Sequence, residues 1–257
     1  MKTRIAIPDT PHCIPLIHLL EEIDSFAVAR GTTDAVARML RRREVDVAFV
    51  SPMEYARESS EYRILPGYSV SSLSGIKLCF REGLRTIRSL AADPSRISEI
   101  VLAQIVLREE FESRPSIVPI VDAAVDTMLE KAEGALWLPG QTGQTPPPAA
   151  LDLVEAWGEM VQLPYVHGVL CVREDFPASD GRAYLLESDL VEEVRRVEYL
   201  LPGPPELLTI LEGCEYALDE PAREGIAEFL RYAHYHGMIR DVPSVRMYSA
   251  PDEENEN

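Results

Sequence analysis

Residues 44–57 read EVDVAFVSPMEYAR. The run VDVAFVS has strand length and is almost continuously apolar, the pattern of a strand covered on both faces. Ser51 and Pro52 follow at once, and a proline suits the first turn of a helix, where its missing N–H costs nothing. A buried strand feeding directly into a helix is the repeating unit of α/β proteins. The same alternation extends on both sides. Toward the N-terminus, RIAIP (4–8) reads as a short strand and DTPHC (9–13) as a turn. IPLIHLLEEI (14–23) and DAVARMLRRR (34–43) carry apolar residues at helical spacing, with Thr32, Thr33 or Asp34 available to cap the second. Toward the C-terminus, YRILPGYSVSS (62–72) and GIKLCFRE (75–82) are further strand candidates.

A second series begins near residue 87. PSRIS opens a long helical pattern that runs from Ser95 to Glu112. SIVPIV reads as a strand, DAAVDTMLEKA as a helix and GALWLPG as a strand ending in a loop. GQTGQTPPPAA (140–150) is loop by composition. LDLVEAWGEM is helical, and PYVHGVLCVRE (164–174) returns to strand. From about residue 187 the chain turns helical, and SAPDEENEN forms an acidic tail. The expected architecture is α/β, with mostly parallel sheets in two lobes and a helical C-terminal part. Crossovers near 80–88 and 163–172 place residues 1–86 and 165–257 in a discontinuous first lobe and 87–164 in an inserted second lobe.

Composition narrows the function. The chain has 257 residues, 46% hydrophobic and 26% charged, which suits a globular protein. Its formal net charge of −18 disfavours general binding to a phosphate backbone. Asp9, Pro11, His12 and Pro15 interrupt the N-terminal apolar stretch, so it does not read as an export signal. No segment reaches the roughly 18 apolar residues of a membrane span. A cytoplasmic location is expected, with neither nucleic acid nor membrane as partner. Cys13, Cys79, Cys171 and Cys214 form no CxxC pair and read as reduced, buried thiols. KLCFRE and VLCVRED, which hold Cys79 and Cys171, are similar strand-like strings that can be neighbours. A His12–His18 metal pair lacks a third ligand, so no metal is expected.

Ligands of α/β sheets sit beyond the carboxyl ends of strands, where loops meet helix N-termini. Four loops qualify: Pro8–Cys13, Ser51–Glu54, Asp93–Ser98 and Pro139–Thr142. The crossovers would add a floor from Ser71–Ser74 and Tyr165–His167. Ser95 and Ser98 at a helix start offer hydroxyl donors beside unsatisfied amides, and Arg96 offers charge. The plainer reading is an ordinary serine cap with an exposed arginine. His12 can accept a proton near neutrality, and Asp9 can orient it or raise its pKa. The plainer reading there is a surface turn in which Asp9 caps a helix. His167, inside an apolar strand, is either a ligand contact or a hydrogen-bonded core residue. Ser51 either donates to a ligand or caps the next helix. Gln141 and Thr142 follow Gly140 in a loop able to close on a ligand. P-loop, Rossmann and nucleophile-elbow motifs are absent.

Several strings, taken in order, resemble the menaquinone-biosynthesis family of the futalosine route, specifically its chorismate dehydratase branch. REVDVAFVSPMEYA, YRILPGYSVSS and PSRISEIVLAQIVLRE carry the likeness in the first half. DLVEAWGEMVQLPYVHGVLCVRE and EYALDEPAREGIAEFLRYAHYHGMI carry it in the second. The resemblance implies a type II periplasmic-binding-protein-like fold. It also implies a lyase that dehydrates chorismate to 3-(1-carboxyvinyloxy)benzoate without a cofactor. The family's Ser-Tyr-Leu-Asn-Thr loop falls on Asp9, Thr10, Pro11, His12 and Cys13, placing its polar Asn on His12. Its Ser-Arg-Thr-Ser motif matches Ser95, Arg96 and Ser98, with Ile97 replacing Thr. Its Ile-Gly-Asp loop becomes Leu138, Pro139 and Gly140, and its Phe-Val-Phe-Ala becomes Tyr165, Val166, His167 and Gly168.

The resulting expectation assigns catalysis to His12 and Asp9. Binding of a small anionic substrate, chorismate or a related carboxylate, falls to Thr10, Ser51, Ser72, Ser95, Arg96, Ser98, Gly140, Gln141, Tyr165 and His167. The departures concentrate in ligand-facing loops. They keep open a non-catalytic carboxylate-binding protein and a related menaquinone-pathway enzyme acting on another ring substrate. A homodimer also stays open.

Overall fold

The computed structural model describes residues 2–81, 86–121, 123–138, 150–176 and 179–249. The first series of elements is β1 (Thr3–Pro8), a short helical turn (Pro11–Cys13), α1 (Ile14–Glu21), β2 (Phe26–Gly31) and α2 (Thr33–Arg41). It continues with β3 (Val47–Val50), α3 (Pro52–Arg57) and β4 (Tyr62–Ser72). The second series is β5 (Lys77–Phe80), β6 (Ser89–Ala92), α4 (Ile97–Phe111), β7 (Ser116–Pro119) and α5 (Val125–Lys131). It ends with β8 (Gly134–Trp137), β9 (Ala150–Asp152) and α6 (Leu153–Val161). The last series is β10 (Tyr165–Arg173), α7 (Asp180–Glu187), α8 (Leu190–Leu200), α9 (Pro205–Glu212), β11 (Cys214–Ala217) and α10 (Glu220–Tyr235).

Two sheets result, ordered β11-β4-β10-β3-β1-β2 and β7-β6-β8-β5-β9. β3 lies between β1 and β10 and is buried along its whole length. Its alternation sends Val47 and Phe49 to a cluster with Ile5, Ile7, Leu16 and Ile17, under α1. Ala48 and Val50 face the opposite way, onto Ala6, Val36 and Leu40, under α2. Each fully buried Val, Leu or Phe contributes roughly 1.5–3 kcal/mol, so the apolar run Val47–Val50 is itself the reason this strand is central. The cluster under α2 runs on into the second sheet through Leu78, Leu90 and Leu136. The other face of that sheet buries Cys79, Ala91 and Ala135 against Val125 and Met128 of α5. α4 packs on α3, α6 and α10, which is why it is apolar nearly all round.

Uniform β-α alternation predicts mostly parallel sheets. Parallel pairing holds for β1–β2, β1–β3, β6–β7 and β6–β8, and the remaining pairs are antiparallel. The physical reason lies in the passages between the sheets. The chain leaves the first sheet at Ser72 and enters the second as β5, which inserts antiparallel between β8 and β9. It returns as β10, which inserts antiparallel between β3 and β4. In each sheet the strand arriving from the other sheet is reversed, and in the first sheet the edge strand β11 runs the same way as β10. The first passage falls at 73–76, ahead of the expected 80–88. For the same reason Cys79 and Cys171 lie in different sheets rather than side by side. All four cysteines are buried and unbonded.

β10 carries a bulge where it begins. Tyr165 pairs with Ser72 and Val166 with Ser71, but Gly168 pairs with Val70, leaving His167 as the extra residue. Bulges re-aim a side chain and accumulate near functional sites. One residue further, a Cβ on Gly168 would stand 2.4 Å from the Phe49 ring and 2.9 Å from the Val50 carbonyl oxygen. Gly168 thus makes room for Phe49 in the strand beside it. Gly168→Ala is expected to lower the unfolding free energy by about 1–3 kcal/mol through overpacking. Urea titration checks this, and an unchanged midpoint would show that the ring can move aside.

Candidate functional site

The turn after β1, the N-terminus of α3, the loop before α4 and the start of β10 meet at one place. His12 and His167 stack there, with ring centroids 4.7 Å apart and planes at 28°. Phe49 stands 6.5 Å from His12, and Tyr165 meets His167 edge-on at 5.1 Å. Both imidazoles keep some accessible surface while standing deep among protein atoms, as groups on a concave wall do.

Hydrogen bonding fixes one tautomer. Ser72 Oγ lies 2.9 Å from the Ser74 carbonyl oxygen and 2.8 Å from His167 Nε2. A carbonyl only accepts, so the single hydroxyl proton goes to Ser74. His167 Nε2 must therefore carry a hydrogen and donate to Ser72. Burial, with Arg96 adding to it, pushes the His167 pKa down to about 4, so near neutral pH the ring is uncharged and its free lone pair sits on Nδ1. His12 is pushed well below the usual imidazole range by burial, then by His167 and Arg96. Its Nε2 lies 3.1 Å from Thr10 Oγ1.

Arg96 reaches across from the second series and donates to Thr33 Oγ1 at 3.3 Å, where α2 begins. Ser98 makes a second link: its Oγ accepts from the Met53 N–H of α3 at 3.2 Å. α4 begins with Arg96 at the N-cap position and no side chain capping it. Ser51, at the N-cap of α3, makes no capping bond either, and its buried hydroxyl has no partner. The Tyr165 hydroxyl is likewise buried and unpartnered.

The expected residues fare differently. Thr10, His12, Ser72, Tyr165 and His167 are in direct contact or one contact apart, and Arg96 acts on both histidines. Ser51 and Ser98 meet at the start of α3. Ser95 is half-buried, and its backbone N–H bonds Asp93 Oδ1 at 2.9 Å. Asp9 is exposed; His12 takes Thr10 as its partner, and its pKa falls rather than rises. Gly140 and Gln141 lie outside the described residues. Lys77, a candidate counter-ion, is held by Asp152 at 2.6 Å. Cys13 adjoins His12, but burial pushes its thiol up to about 12, which rules out a thiolate nucleophile near neutrality. Among the described residues, no group of three or more His, Cys, Asp or Glu could hold a metal.

One residue escaped the sequence reading. Glu99, in the first turn of α4, is 7% exposed, and burial raises its carboxyl above the usual range. The available signal was a lone carboxylate in a helix whose next eight positions are mostly apolar and buried.

The family described as menaquinone biosynthesis matches residues 3–235. No curated protein matches the sequence. A protein of Archaeoglobus fulgidus, AF1704, superposes with a TM-score of 0.63 at 20% identity, covering 93% of this chain and 98% of its own. The Candida albicans CA3427 gene product, described as having the generic periplasmic binding protein fold, gives 0.62 at 10% identity with both chains fully covered. The alkanesulfonate-binding protein SsuA of Xanthomonas axonopodis pv. citri, bound to MOPS, gives 0.57 at 11% identity with 96% of each chain covered. The fold is therefore that of the periplasmic binding proteins. No helix among the described residues is long and apolar enough to cross a membrane.

The depressed histidine pKa values carry a sign. Between about pH 4 and 6.5 the unfolded chain binds more protons than the folded one, so stability is full above pH 6.5 and is lost as pH falls toward 4. His167 alone contributes at most roughly 3 kcal/mol to that loss. Thermal unfolding scans across this window are expected to show a smaller decline for His167→Asn than for the wild type. Parallel curves would mean that His167 is not held neutral.

Proposed function

Because this chain belongs to the menaquinone-biosynthesis family, we propose that it is a carbon–oxygen lyase that dehydrates chorismate to 3-(1-carboxyvinyloxy)benzoate between two lobes built on its two sheets. The observation that supports this reading best is the stacked His12–His167 pair facing Arg96 where the passages between the sheets converge. Dehydration of a cyclohexadiene to an aromatic ring needs a base for one ring proton, anchoring of two carboxylates and an exit for hydroxide. It needs no metal or organic cofactor.

Each part has a candidate. Arg96 and the uncapped amides of α4 attract a carboxylate. The unpartnered hydroxyls of Ser51 and Tyr165 donate to substrate oxygens. His12 takes the ring proton. A ring held below its ordinary pKa is a weak base, but a carboxylate entering beside it favours the imidazolium and restores basicity on binding. Phe49 and His167 enclose the ring and limit water.

Binding without turnover is the second reading. SsuA, of the same fold, holds a sulfonate buffer molecule, and the neutral histidines would suit a receptor for an anion equally well. Purified protein mixed with chorismate separates the two readings. Formation of 3-(1-carboxyvinyloxy)benzoate, followed by liquid chromatography and mass spectrometry, is expected. Chorismate that stabilises the protein thermally yet persists unchanged would establish the receptor.

Ser51→Ala offers a test of opposite signs. Leaving a buried hydroxyl unsatisfied costs about 1–3 kcal/mol, so its removal is expected to hold or raise the stability of the free protein. The same change is expected to raise KM for chorismate by roughly fivefold to tenfold, since a neutral hydrogen bond contributes about 1 kcal/mol. Lower stability with unchanged KM would place Ser51 outside the site.

A further inference from the structure

Ser72 is buried, 4% exposed, at the end of β4. Its hydroxyl is already fully engaged inside the protein. The proton goes to the Ser74 carbonyl oxygen at 2.9 Å, and a lone pair receives the Nε2–H of His167 at 2.8 Å. Nothing on this side chain remains to donate to a ligand, although the sequence marks it as a ligand contact. What Ser72 does instead is decide what the other nitrogen of the His167 ring offers. With the hydrogen held on Nε2, Nδ1 carries a lone pair and no proton. It can accept a hydrogen bond and cannot donate one.

That lone pair is within reach of a ligand. His167 is the extra residue of the bulge in β10, and its ring keeps accessible surface. His12 covers one face of the ring at 4.7 Å, and Tyr165 meets it edge-on at 5.1 Å. Nε2 is turned toward the buried serine. Among the described residues Nδ1 has no partner, and it is not one of the partnerless polar atoms enclosed by the protein. It therefore lies on the surface that the ring retains. His12, stacked on this ring, keeps accessible surface too, so both imidazoles belong to the wall of the hollow already described. Burial keeps the His167 ring uncharged near neutrality, and the lone pair persists there.

An imidazole fixed as an acceptor discriminates by chemistry. An O–H group of a ligand satisfies it. A carboxylate oxygen brings a second lone pair against the first and is repelled. We propose that Ser72 is a positioning residue that locks His167 as the acceptor for a ligand hydroxyl, so that the site selects a hydroxylated anion over the same anion without the hydroxyl. This rests on the lyase reading above and deepens it. Chorismate carries one ring hydroxyl, and 3-(1-carboxyvinyloxy)benzoate carries none. Both are dicarboxylates. The bond to His167 therefore holds the substrate and is lost once the hydroxyl has left, which favours release of the aromatic product.

The test compares full-length wild type, Ser72→Ala and Ser72→Thr. Long-range proton–nitrogen NMR of ¹⁵N-labelled protein reads the tautomer, with the His167 signals assigned by their loss in His167→Asn. The wild type is expected to show the hydrogen on Nε2 alone, and Ser72→Ala to show a mixture. KM for chorismate is expected to rise by about fivefold in Ser72→Ala, the worth of one neutral hydrogen bond. The calorimetric Kd of the benzoate product is expected to stay within about twofold of the wild type, since the product has no hydroxyl to lose contact. Ser72→Thr, which keeps the hydroxyl, is expected to restore both the tautomer and most of the chorismate affinity. A wild type with the hydrogen on Nδ1 overturns the proposal, even where Ser72→Ala fails to fold. So does a Ser72→Ala that weakens substrate and product equally, or neither. A wild type that leaves chorismate intact ends the lyase reading alone, and the calorimetric Kd of chorismate then replaces KM. A wild type that binds neither compound overturns both.

Discussion

The pairing of Tyr165 with Ser72 governs this molecule. It sets the two passages between the sheets side by side, one leaving after β4 and the other arriving as β10. An α/β sheet pair joined by one passage would leave its strand-end loops free to diverge. Two adjacent passages bring the turn after β1, the start of α3 and the loop before α4 together. Asp152 reinforces the arrangement. Its carboxylate accepts from the Gly75 N–H in the first passage at 2.8 Å, holds Lys77, and caps α6, the helix that leads into the second passage. The bulge at His167 then turns one imidazole out of the sheet and against His12.

Electrostatics at this hollow oppose the rest of the surface. A chain of formal charge −18 repels anions at long range. Arg96 and the open end of α4 bring positive charge to the two histidines, and burial strengthens their effect by lowering the dielectric. The same burial keeps both imidazoles uncharged, so they do not compete for a carboxylate as cations. On the proposed reading, an arriving carboxylate would make them more basic, coupling charge on the ligand to proton removal.

How much of this was readable in the residues follows from what sequence patterns encode. The strand Val47–Val50 and the helix opening at Pro52 were legible because burial on two faces leaves an apolar run. The meeting of His12 and Arg96 near one place was legible because strand-to-helix loops gather at one end of a sheet, and His167 joined them through the crossover into β10. β2 went unread: as an edge strand it is only partly buried and carries Ala27, Arg30 and Gly31 instead of a clean alternation. β6, β9 and β11 are too short to display a period. The reversed insertion of β5 and β10 is a property of connectivity, which no local pattern records. Asp9 looked like an orienting partner for His12 by proximity in sequence, but the turn at Pro11–Cys13 directs Thr10 inward instead. Glu99 was hidden for the opposite reason, since its neighbours read so strongly as core that the charge among them was not singled out.

The buried hydroxyls of Ser51 and Tyr165 and the carboxyl of Glu99 belong to one energetic pattern. Each would be cheaper to bury as an apolar residue, and a protein shaped for stability alone would have placed alanine, phenylalanine or leucine there. Their cost, a few kcal/mol together, is comparable to a large share of a domain's net stability. The surrounding core can carry it because the cluster linking both sheets is continuous. A ligand that supplies the missing partners recovers the same free energy as binding. On the proposed reading, affinity would depend less on new contacts than on polar groups already stripped of water.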